Sequence, residues 1–80
     1  MINQAFGQVV KELRGKRKLS QEALSFEADL HRTYISQLER GIKSPSLNTM
    51  QKLSKVLGVS LTELMNLVEE KNNVIPAHGK

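Results

Sequence analysis

Apolar residues recur along most of this chain at intervals of three and four, the spacing that gathers them on one face of a helix. Phe6, Val9, Val10 and Leu13 form the first such row, with Asn3 placed to cap the helix that carries them. Gly15 and the cationic run after it weaken its last turn, although positive charge there suits the helix dipole. Ser20 is a cap for a second, short helix that turns Ala23, Leu24 and Ala28 inward. The pattern breaks at Asp29-Leu30-His31. A third helix then runs from Arg32 to about Arg40 with Ile35 and Leu38 inward, and Gly41 stands where a left-handed C-cap is expected.

Residues 42–46 read as a loop, since Pro45 forbids a continuous helix. A fourth helix starts near Ser46 and buries Leu47, Met50, Leu53 and Leu57 before Gly58 stops it. Ser60-Leu61-Thr62-Glu63 is a capping box that opens a fifth helix with Leu61, Leu64, Met65 and Val68 apolar. From Lys71 onward the Asn72-Asn73 pair, Pro76 and Gly79 predict a disordered tail over residues 71–80, leaving one domain over residues 1–70. No alternation of strand type competes, so the fold class is all-α.

Composition narrows what such a domain can be. Eighty residues, 39% hydrophobic and 25% charged, suit a single small globular unit whose scarce aromatics leave the core to aliphatic side chains. The chain has no Cys, so no disulfide or thiolate site staples it. No apolar run approaches the roughly 20 residues that cross a bilayer, and no signal peptide opens the chain, which makes the cytoplasm the expected compartment. The net charge of +4 favours an anionic partner. Five of the twelve basic residues (Lys11, Arg14, Lys16, Arg17 and Lys18) fall within eight positions, the pattern of a solvated face or of a polyanion contact.

The segment from Gln21 to Arg40 carries the functional signal. Two short helices separated by three residues, the second ended by Gly, have the spacing of a helix-turn-helix. Ser25 is small where the helices must cross closely, and Asp29 tolerates the left-handed turn better than most residues. Leu24, Ala28, Leu30, Ile35 and Leu38 lock the angle between them. That angle leaves Arg32, Thr33, Ser36 and Gln37 on the free face. Their chemistry suits base edges: Arg grips guanine O6 and N7, Gln pairs with adenine, and Thr donates a hydrogen bond or touches a thymine methyl. An ordinary solvent-exposed polar face is the competing reading.

The runs Leu19-Ser20-Gln21-Glu22-Ala23-Leu24, His31 to Gly41, Ser44-Pro45-Ser46-Leu47 and Leu57-Gly58-Val59 resemble the Cro/repressor-type, or Xre, family of helix-turn-helix regulators over about residues 5–68. Arg32-Thr33-Tyr34-Ile35-Ser36 also resembles the controller proteins of restriction–modification systems, although phage and mobile-element regulators share that segment. The resemblance implies a five-helix, lambda-repressor-like domain that binds double-stranded DNA as a homodimer on a (pseudo)palindromic operator and regulates transcription. It implies that Gln21 meets backbone phosphate and that Arg32, Thr33, Ser36 and Gln37 meet bases. Tyr34 either approaches the DNA or packs its ring on the protein surface. Lys43 and Ser44 fall in a loop that touches phosphate, and Arg17 lies where it can reach the backbone beside the first helix. Arg14 and Glu39 match a pair that forms a buried structural salt bridge. His31 departs from the Ser, Thr or Asn common at the recognition-helix cap.

Other classes find little support. His31 and His78 lie far apart, without the company a metal site or a catalytic triad needs, and no Gly-rich phosphate loop is present. No catalytic residue, metal, cofactor or small-molecule ligand is therefore expected. An antitoxin-like module that binds a protein toxin as well as DNA is the alternative, for which only about ten tail residues are left to wrap a partner. A membrane-surface role is disfavoured because the core needs the first helix's apolar face. A dimer surface is expected on the fifth helix, where Leu61, Met65 and Val68 extend the apolar row beyond Leu64; packing of all four inside the monomer is the alternative.

Overall fold

The computed structural model describes residues 1–74. Five helices follow in order: α1 (Ile2–Lys16), α2 (Gln21–Ala28), α3 (Arg32–Glu39), α4 (Leu47–Leu57) and α5 (Leu61–Val74), with no strand among the described residues. Ser20 Oγ accepts the Ala23 N–H, Ser46 Oγ accepts the Thr49 N–H, and Ser60 with Glu63 closes the capping box. His31 caps α3 without a side-chain hydrogen bond. Asn3 does not cap α1. The helix has already begun at Ile2, and the Asn3 amide instead donates to Ser44 Oγ at 2.8 Å, tying the first turn of α1 to the α3–α4 loop.

The first four helices end alike. Lys18, Asp29, Gly41 and Gly58 are left-handed, and the N–H of the next residue reaches back five positions: Leu19 to Arg14, Leu30 to Ser25, Ile42 to Gln37, Val59 to Ser54. Lys18 and Asp29 hold this conformation without being glycine, as Asp29 was expected to.

Each helix contributes to one core. Ala5, Phe6, Val9 and Val10 come from α1, Leu24 and Ala28 from α2, Ile35 and Leu38 from α3, Leu53 and Leu57 from α4, Leu64 and Val68 from α5. Helix α1 is the central element, packed against α3 and α5, while α2 packs against α3 and α4. At the α1–α3 crossing Gly7 lies so close to α3 that a Cβ would collide with the backbone carbonyls of Leu38 and Glu39. That contact sets where α3 sits.

Two further expectations need revision. Leu47 is 67% exposed rather than buried; it opens α4 on the outer side, and the inward place in that turn goes to Thr49. Helix α5 continues past Lys71 to Val74, since Lys71 Nζ reaches Glu12 Oε2 of α1 at 2.7 Å; the remainder of the expected tail lies outside the described residues. The apolar row of α5 is divided. Val68 is only 2% exposed and packs in the chain's own core beside Leu64, although it also lines the groove that Met65 borders. Leu61 and Met65 are half-buried at the core's edge.

Candidate nucleic-acid interface

Helices α2 and α3 pack through Leu24, Ala28, Ile35 and Leu38, all buried, and the buried Ser25 gives its carbonyl to the Leu30 N–H in the turn. This fixes the outward face of α3. Arg32 and Thr33 are exposed there, and Ser36 and Gln37 are partly exposed one turn later. Together with Gln21, at the start of α2, the residues Arg32, Thr33 and Ser36 line one shallow depression of about 230 Å³. An amide, a guanidinium and two hydroxyls thus converge beside the N-terminus of α2, whose partial positive charge favours an anion.

Beneath the depression lies a hydrogen-bonded network. Arg14 Nε and Nη2 donate to Glu39 Oε2 and Oε1 at 2.7 and 3.0 Å, and Nη1 donates to the Leu19 carbonyl at 2.9 Å. The Glu39 side chain is 3% exposed and that of Arg14 16%. The hydrogen bond to Glu39 raises the Arg14 pKa further above its ordinary value, with burial opposing it. Gln21 Nε2 also donates to Glu39 Oε1, at 2.9 Å. This last bond joins a neutral and an acidic residue 18 positions apart, and no periodicity or charge pattern in the sequence announces it.

Tyr34 is half-buried against the core, and its hydroxyl lies 3.4 Å from Thr49 Oγ1, which also accepts from Ser46 Oγ. The phenol is therefore fastened to the first turn of α4. Lys43 is exposed, and the neighbouring Ser44 is held by Asn3. Arg17 lies at the C-terminal end of α4, its Nη1 2.5 Å from where a Cβ on Gly58 would stand, so its charge meets the negative end of that helix dipole.

The packing of α3 against α1 and α2, the free polar face of α3 and the anion-friendly start of α2 define a helix-turn-helix DNA-binding domain. The chain belongs to that family: residues 10–64 match the family model described as helix-turn-helix. It is 50% identical over 66 residues, 81% of this chain and 82% of the relative, to the control protein C.BamHI of Bacillus amyloliquefaciens. Its fold is similar to the restriction–modification controller protein C.AhdI of Aeromonas hydrophila, with a TM-score of 0.75 and 40% identity over 78% of this chain and 94% of the other. It is also similar to the controller protein C.Esp1396I, solved as a tetramer with its natural 35 base-pair operator, with a TM-score of 0.81 and 25% identity over 89% and 93% of the chains. The chain is a DNA-binding regulator of the controller type. Among the described residues no helix is long and apolar enough to cross a membrane.

Proposed function

We propose that two copies of this chain bind a pseudo-palindromic operator, each laying α3 in the major groove, and so control transcription. The observation that carries this reading is the depression shared by Gln21, Arg32, Thr33 and Ser36, which brings one residue suited to phosphate beside three suited to base edges. Gln37 extends the base-reading row. Lys43 and Ser44 add backbone contacts from the anchored loop, and Arg17 adds one from the end of α1. Tyr34 serves as an accessory contact at the junction of α3 and α4. The C.Esp1396I complex, a tetramer on its operator, supports multimeric binding.

Selection of bound sequences from a random DNA pool supplies the operator, and two variants then separate the roles. Arg32→Ala is expected to cost about 1–3 kcal/mol on the selected operator and to relax preference at one or two positions. Lys43→Ala is expected to weaken binding to all sequences and to flatten the log–log salt dependence by about one unit. If Arg32→Ala lost specific and non-specific affinity equally, the base-reading assignment would fall.

What the core leaves uncovered supports a dimer surface beside α5. Met65 and Val68 border an apolar groove of about 390 Å³ with Ile2, Phe6, Pro45 and Met50, and Ile2 remains 52% exposed. Leu61 opens the same helix as Met65. A second copy covers this surface and sets the two recognition helices about 34 Å apart. Met65→Glu is therefore expected to leave helix content intact, shift sedimentation from dimer to monomer, and weaken operator binding by about tenfold or more, because the second half-site is no longer engaged in the same event. A wild-type chain that sediments as a monomer at tens of micromolar, free and on operator DNA, defeats the dimer.

A further inference from the structure

The Arg14–Glu39 pair has a second connection that a purely structural salt bridge does not need. Glu39 Oε1 accepts from Arg14 Nη2 and also from Gln21 Nε2, at 3.0 and 2.9 Å. We propose that this buried pair is a positioning device for the DNA contact, holding the Gln21 amide in the orientation that phosphate requires. The inference rests on the reading of Gln21 as a phosphate contact and adds what makes that contact effective.

The chemistry fixes the amide. A side-chain amide carries two N–H donors on one end and an acceptor on the other. Turned over, Gln21 would face Glu39 with its carbonyl oxygen, acceptor against carboxylate, so the nitrogen end stays on Glu39. One N–H is then spent on Oε1 and the second is left for a phosphate oxygen. The carboxylate cannot swing to follow the amide, because two parallel hydrogen bonds from Arg14 clamp it. The same guanidinium holds the Leu19 carbonyl at the entrance to α2, which fixes the backbone from which Gln21 projects. Arg14 also neutralises a carboxylate that would otherwise repel the approaching phosphate.

The benefit is pre-organisation. A free Gln side chain loses rotamer entropy when it is immobilised on a ligand. Here much of that ordering is complete before DNA arrives, so more of the hydrogen bond's free energy appears as affinity. The placement agrees: Gln21 is partly buried and lines the depression with Arg32, Thr33 and Ser36.

Proton NMR of the Gln21 side-chain amide tests this without any variant. In the free protein one Nε2 proton is expected to be shifted and protected from exchange relative to the exposed Gln51; on operator binding the other proton moves while the first stays protected. Both protons exchanging as freely as those of Gln51 would overturn the proposal. A double-mutant cycle supplies the second arm, with operator affinity measured where every variant is folded. Gln21→Met is expected to weaken binding about tenfold, the scale of one hydrogen bond to a charged group. Glu39→Met, which leaves no acceptor for the Gln21 amide, is expected to weaken it by a similar factor when Gln21 is present, and by less than about twofold in the Gln21→Met background. Equal factors in both backgrounds would leave Glu39 a structural residue only. If Gln21→Met changed nothing while Arg32→Ala still lowered affinity, the inference would fall and the DNA-reading assignment of α3 would stand.

Discussion

Glu39→Ala is expected to destabilise the folded chain by about 3–5 kcal/mol, because it strands a guanidinium that is largely withdrawn from water. In a domain of this size each kcal/mol moves the melting temperature by roughly 4–8 °C, so thermal unfolding followed by circular dichroism should show a drop of about 20 °C. The magnitude follows from burial rather than from distance. Lys71 and Glu12 approach equally closely, at 2.7 Å, yet their side chains are 27% and 55% exposed. Water screens that pair, and Glu12→Ala is expected to cost less than about 1 kcal/mol. Arg14→Ala should match or exceed Glu39→Ala, since it strands the carboxylate and also removes the donor to the Leu19 carbonyl. Melting of Glu39→Ala within a degree or two of wild type, or no worse than Glu12→Ala, would show that the pair contributes nothing beyond a surface contact.

What could be read from the sequence was what is local. Ser20, Ser46 and the Ser60–Glu63 box announce helix starts because a cap acts within three residues of itself. Helix ends are local too, but the signal lies partly in the residue after the stop. Leu19, Leu30, Ile42 and Val59 are all apolar and all follow the left-handed position. Read that way, Lys18 is as clear a stop as Gly58, although a lysine there attracts attention for its charge. Leu47 reads as a core residue when residue type is weighed before helix phase, and Thr49 then goes unnoticed. A stripe through Met50, Leu53 and Leu57 passes through residue 49 as readily as through residue 47, and the Ser46 and Tyr34 hydroxyls give Thr49 a polar neighbourhood inside.

The candidate site divides along the same line. The polar row Arg32, Thr33, Ser36 and Gln37 is visible because Ile35 and Leu38 fix the opposite face. The contacts that join elements are not, apart from the Arg14–Glu39 pair that the family resemblance implies. Asn3 to Ser44, Gln21 to Glu39 and Lys71 to Glu12 span 41, 18 and 59 positions, and each depends on how helices α1 to α5 are set against one another. The α5 row shows the limit well. Leu61, Leu64, Met65 and Val68 share one helical face, and the sequence cannot weight its two edges. Packing against α1 puts Leu64 and Val68 at the centre and leaves Leu61 and Met65 at the margin.

The crossing of α1 over α3 gives the second large effect, and the same substitution made twice in α1 should have opposite signs. Gly15 is exposed, and a Cβ there meets nothing within 4 Å. Gly15→Ala is therefore expected to stabilise by about 0.5–1 kcal/mol, the ordinary helix advantage of alanine. Gly7 is buried, and its Cβ would run into the carbonyl oxygens of Leu38 and Glu39 and the Glu39 carbonyl carbon. These are backbone atoms of a helix end, with no flexible side chain to move aside. Relief requires α1 and α3 to separate, which opens the core around Phe6, Val10, Ile35 and Leu38. It also draws Glu39 away from Arg14. Overpacking of a rigid site costs about 1–3 kcal/mol, and the coupled strain on the ion pair puts Gly7→Ala at about 3 kcal/mol or beyond. Paired thermal melts should therefore separate the two variants by about 15 °C or more, with wild type between them. Operator binding by Gly7→Ala, measured well below its melting temperature, should weaken as well, because Arg14 no longer clamps the Glu39 carboxylate that holds Gln21. Two variants that melted together would mean that α1 and α3 do not cross at Gly7, and the placement of the recognition helix would have to be rebuilt.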